Sequence, residues 1–131
     1  MHEGIHQYRR TQVLTASEIQ VIVLLYDGAL QSLELAREGI LNNNYSDKAR
    51  FLGKAFAIVS ELSNVLDMEH GKDIALSLRR LYDYMLDEFT QANLRHNARH
   101  LEGPIRCLST LREGWHAIAQ QGAMAGAAAA G

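Results

Sequence analysis

Proline and cysteine are nearly absent: each occurs once in 131 residues. With only Pro104 to interrupt it, the chain is free of the commonest block to helix. A lone cysteine, Cys107, excludes an intrachain disulfide and suits a reducing compartment. No charge sign is in excess. Thirteen basic residues face 15 acidic ones, a formal charge of −2, so there is no electrostatic footprint for nucleic acid or an anionic membrane. The pair Arg9-Arg10 is too short to supply one. Uninterrupted apolar runs span only a few residues, far below a membrane span. The opening MHEGIHQYRRTQ lacks the apolar core of a secretory signal, so no such leader is expected. Phosphate loops, GKS/T motifs and zinc spacings are missing too.

What is present is helical pattern without strand-like alternation. The chain is 47% hydrophobic and 21% charged, at a length that buries one core. The periodicity predicts an all-α fold: an antiparallel up-down four-helix bundle over residues 15–121. A flexible N-terminal arm over 1–14 precedes it, and a frayed Ala/Gly-rich tail over 122–131 follows. No internal repeat is evident.

The first helix is predicted to start at Ser17, where Ser17 and Gln20 form a capping box. Its core stripe is Ile19, Ile22, Val23, Tyr26, Ala29, Leu30, Leu33, Ala36 and Ile40. Asn42-Asn43-Asn44 ends it, because short amides compete for backbone hydrogen bonds. The second helix is predicted from near Ser46 to a break before Gly71, with Ala49, Leu52, Ala55, Phe56, Val59, Leu62, Ser63 and Leu66 inward. The third runs from about Lys72 on Ile74, Leu78, Leu81, Tyr82, Met85, Phe89 and Ala92. The fourth carries Leu101, Ile105, Leu108, Leu111, Trp115 and Ile118, and starts either near Glu102 or near Ala98 with a bend at Pro104.

A second apolar band lies on the far side of the first helix: Val21, Leu24, Gly28, Leu35 and Gly39. Glycine inside a helix costs about 1 kcal/mol against alanine, which becomes intelligible if another backbone approaches there. The second helix widens likewise through Phe51, Ile58 and Val65, seven residues apart. Two readings follow. The first helix is sandwiched inside an irregular bundle, or the band forms a groove for an apolar peptide. Burying three or four such side chains stabilises by roughly 5–10 kcal/mol, against about 2–5 kcal/mol to order a disordered peptide. The contact residues expected on the second reading are Val21, Leu24, Gly28 and Leu35, with Ile58 and Val65. Tyr8 of the arm acts as a lid, its ring in the groove and its hydroxyl wet. Tyr26 and Leu30 are expected in the core, and Asp27 on a solvated face.

Several stretches, in order along the chain, resemble the flagellar secretion chaperone FliS family. The first runs from Tyr8 through Val13-Leu14-Thr15-Ala16-Ser17 to Leu24-Leu25-Tyr26-Asp27-Gly28-Ala29-Leu30. Glu61-Leu62 and Leu66-Asp67-Met68-Glu69 form the second. The third comprises Ile74-Ala75, Leu78, Leu81-Tyr82-Asp83-Tyr84-Met85 and Ala92-Asn93, and the last is Leu111-Arg112 with Trp115. Together they spread over about residues 8–116. The resemblance implies a cytoplasmic four-helix bundle that binds the disordered C-terminal segment of flagellin one-to-one. It implies that the segment gains helix as the arm moves aside, with no catalysis and no cofactor. Components of the flagellar export apparatus are further possible partners, and no membrane insertion is expected. Departures from the pattern are Glu18, where proline is usual, Gly71-Lys72, where Gly-Gly is usual, and Pro104. The Ala/Gly tail lies outside the resemblance.

Two rival readings remain open at this point. Glu113 and His116 have the E-x-x-H spacing of a carboxylate-bridged metal bundle, but the only other such pair, Glu3 and His6, lies in the arm, and the first two core stripes contain no glutamate. A generic helical adaptor or homodimerisation module would use the second band as its dimer interface. His96 and His100 read as loop histidines, and Cys107 as a small core-flanking side chain.

Overall fold

A computed structural model describes residues 14–130, with side chains to Gln121. Four helices follow one another: α1 (Ala16–Leu41), α2 (Tyr45–Asn64), α3 (Met68–Arg95) and α4 (Glu102–Ala130), the last preceded by a 3-10 turn at Ala98–Leu101. No strand occurs among the described residues. Adjacent helices pack in a ring, α1 on α2 and α4, and α3 on α2 and α4, which is the predicted all-α bundle.

The caps differ from those read off the sequence. Thr15, not Ser17, caps α1: its hydroxyl accepts a hydrogen bond from the Glu18 N–H at 3.2 Å. This start places a carboxylate in the first turn, where it suits the helix dipole. The asparagine run both ends α1 and begins α2. Asn42 closes α1, Asn43 takes a left-handed φ of 55°, and the Asn44 side chain accepts from the Asp47 N–H at 3.1 Å. The break expected at Gly71 is present as the non-helical Lys72 that divides α3, but α2 ends before it. The connection from α2 to α3 falls at Val65–Asp67, because Asp67 caps α3 by accepting from the His70 N–H at 3.1 Å. Gly71-Lys72 marks a kink within α3, where Lys72 has φ 45° and ψ −120°. Pro104 sits, fully buried, in the first turn of α4, where a missing N–H leaves no helical hydrogen bond unmade. The fourth helix runs to Ala130, through the Ala/Gly-rich stretch that begins at residue 122.

The core is built from Tyr26, Ala29, Leu33, Ala36 and Ile40 of α1 and Leu52, Ala55, Val59 and Leu62 of α2. Tyr82, Met85, Phe89 and Ala92 of α3, with Leu101 and Leu108, complete it. Some predicted stripe positions lie outside. Phe56, Ile74 and Ile118 are exposed, and Ala49 with them, while Ala75, Ala119 and the neighbouring Lys48 are buried. Lys48 reaches burial by donating to the Asn93 carbonyl at 3.2 Å and to His96 Nδ1 at 3.1 Å. His96 in turn stacks on Tyr45 and meets Asn43 Oδ1 through Nε2 at 2.8 Å. This set ties the α1–α2 turn to the end of α3, where His96 has a left-handed φ of 50°.

By length and composition, Ser17–Leu41 is apolar enough to cross a membrane, which uninterrupted runs did not suggest. The cause is its two apolar faces. One fills the core, and 39% of the most apolar window is buried. A core helix of a bundle passes the same test.

Candidate partner-binding face

Two close approaches fix how α1 and α2 run past one another. A Cβ on Gly39 would lie 2.8 Å from the Lys48 backbone nitrogen, and one on Gly28 would lie 3.4 Å from Ile58 Cδ1. In this antiparallel register, seven residues back from Gly28 sets Val21 opposite Val65. Seven forward sets Leu35 opposite Phe51. Seven residues return a helix to within about 20° of the same direction. Val21-Gly28-Leu35 and Phe51-Ile58-Val65 therefore form the two walls of one seam on the outer side of the α1–α2 pair.

The seam is not covered by the described helices. Leu24 is 66% exposed, Val65 62% and Val21 55%, whereas Gly28, Leu35, Ile58 and Phe51 are half-buried along its floor. Of the band read from the sequence, Gly39 alone departs, being buried against α2. The sandwiched reading of α1 would have sealed Val21 and Leu24, and it does not hold. Tyr8 lies outside the described residues.

The rims were not read from the sequence. On α2, Arg50 and Lys54 reach over the Phe51 ring, at 5.1 and 5.8 Å from its centroid. Neither forms an ion pair among the described residues. The sequence signal for this rim was present in the three-residue spacing of Phe51 and Lys54, but two surface cations carry no pattern of their own.

Asp27 is not simply a solvated residue. Arg112 Nε on α4 donates to Asp27 Oδ1 at 2.8 Å, joining α1 to α4 across a separation of 85 residues. That hydrogen bond, and then the charge of Asp27, hold the Arg112 guanidinium above its ordinary range. Glu113 and His116 are both exposed on α4, so neither projects into the interior as a bundle metal site requires. Among the described residues no three His, Cys, Asp or Glu side chains gather to hold a metal.

An all-helical bundle with an open apolar seam along its first two helices is thus the class to which the chain conforms. The family model described as flagellar protein FliS matches residues 1–122. A flagellar secretion chaperone FliS of Salmonella typhimurium is 38% identical over 120 residues, covering 88% of this chain and 89% of the relative. That of Vibrio cholerae is 31% identical over 122 residues, 90% of each. The flagellar secretion chaperone FliSB of Pseudomonas aeruginosa is 32% identical over 120 residues, 88% of this chain and 95% of the relative. The chain belongs to the FliS family, a family of flagellar secretion chaperones rather than enzymes.

Proposed function

We propose that the chain holds the C-terminal segment of flagellin in the bacterial cytoplasm, one-to-one, and keeps it from polymerising before export. The observation that carries this reading is the uncovered seam, with Val21, Leu24 and Val65 exposed above Gly28, Leu35 and Ile58, in a chain of the FliS family. An amphipathic segment laid in the seam gains helix as its apolar face leaves water, which is helix-in-groove recognition coupled to folding. Occupying a segment that flagellin uses to assemble blocks assembly by competition. In the same reading Tyr8 competes for the seam in the absence of client.

Calorimetry with a flagellin C-terminal peptide tests this directly. Leu24→Asp is expected to weaken binding by about a hundredfold, because a carboxylate is forced against apolar surface, while helicity and unfolding are unchanged. Normal binding by this variant would refute the assignment. Deleting residues 1–14 is expected to leave affinity equal or higher. Light scattering separates the chaperone from a dimerisation module: a stable dimer that the peptide leaves intact would favour the module.

A further inference from the structure

The helix-interior glycines differ in what they do for the fold. Gly39 is required by it, since a Cβ there would meet the Lys48 nitrogen at 2.8 Å and the Asn44 carbonyl oxygen at 3.2 Å. Gly53 meets nothing within 4 Å. Gly28 stands between them: an added Cβ would touch only Ile58 Cδ1, at 3.4 Å, an ordinary contact. The fold therefore does not demand glycine at 28, although glycine in mid-helix is unfavourable. Its effect is to leave a notch in the α1 wall, with Ile58 as its floor and the walls of Val21, Leu24 and Leu35 around it.

We infer that this notch receives a client side chain, and that it selects an amphipathic helix of defined pattern. The inference rests on the reading of the seam as the client site. The walls repeat every seven residues, so the helix that fits places apolar side chains at the same interval, the bulkiest opposite Gly28. The rim adds a polarity. Arg50 and Lys54 flank the Phe51 end of the α2 wall without a carboxylate partner among the described residues. The occupant's edge is therefore acidic where it meets the Phe51 end of α2, while the exposed Glu61 stands seven residues beyond Lys54 at the other end, and the occupant is a segment of the flagellin C-terminus with carboxylates at that one end of its flank. Glycine at 28 trades helix stability for shape.

Three variants test this against one flagellin C-terminal peptide, by calorimetry and thermal unfolding. Gly53→Ala is expected to raise the unfolding midpoint and leave affinity unchanged. Gly28→Ala is expected to raise the midpoint similarly yet weaken binding by about tenfold, because the notch is filled. Arg50→Gln with Lys54→Gln is expected to weaken binding and to remove most of its salt dependence, and an unchanged affinity and salt dependence in this variant overturns the acidic flank. Unchanged affinity in Gly28→Ala overturns the notch, as does a lowered midpoint, which would mean that the fold itself needs this glycine. If Gly28→Ala binds normally while Leu24→Asp does not, the seam is still the site and only the notch fails. If both bind normally, the seam itself is wrong and the notch falls with it.

Discussion

The hydroxyls of Tyr26 on α1 and Tyr82 on α3 meet 2.5 Å apart inside the bundle, joining two helices that sit diagonally in the ring. Both side chains are buried, at 0% and 2% exposure, so the hydroxyls meet each other in place of water, and the Trp115 side chain also hydrogen-bonds that of Tyr26. Removing one leaves a buried polar group short of its partner, at a cost of about 1–3 kcal/mol. Tyr82→Phe is therefore expected to lower stability by that amount in chemical denaturation. The double change of Tyr26 and Tyr82 to Phe is expected to cost less than the two single changes summed, because neither hydroxyl is left facing an apolar ring.

The same pair sets an alkaline limit. Burial raises both phenols above the ordinary 10.0, Tyr82 the further, its hydrogen bond to Tyr26 adding to the effect. The folded chain thus holds these groups neutral where the unfolded chain ionises them. Their contribution to stability is complete below pH 10.0 and is lost progressively as the pH climbs above it. Phenolate absorbance followed together with helicity checks this. The absorbance change from these two residues is expected to coincide with unfolding rather than to precede it.

Gly39 and Gly28 look alike in the sequence, as two glycines on the outer side of one apolar helix, and their surroundings separate them. Adding a methyl at Gly39 drives it into the Lys48 backbone at 2.8 Å, and backbone cannot step aside as a side-chain tip does. Gly39→Ala is expected to destabilise by about 1–3 kcal/mol through overpacking, despite alanine's better propensity. Urea denaturation beside Gly53→Ala gives the comparison, with the two changes moving the midpoint in opposite directions.

The contrast shows what the sequence makes legible. Core stripes such as Tyr26-Ala29-Leu33 and Tyr82-Met85-Phe89 follow from periodicity, because the interior selects side chains every three or four residues. The open band was visible for the same reason. Helix ends were less so: Thr15 competes with Ser17, and Asp67 with Gly71, and each pair offers a valid stop or cap whose use depends on the flanking turn. Lys48, Asp27 and Arg112 were misread or missed because their partners lie 45 to 85 residues away. No local pattern announces a contact of that kind.

Lys72 holds the last consequence. With φ 45° and ψ −120°, it occupies a conformation suited to glycine. Gly71 before it is needed for a different reason, since a Cβ there would lie 2.7 Å from Cβ of the buried Ala75. The chain has glycine where the close approach needs it and lysine where glycine would relieve the dihedral. Lys72→Gly is therefore expected to stabilise the bundle by about 1 kcal/mol. The same substitution at Lys54, in the regular interior of α2, is expected to destabilise by a similar amount. Thermal unfolding of the two variants side by side decides it: if Lys72→Gly lowers the midpoint as Lys54→Gly does, the kink is not strained and α3 runs straight through it.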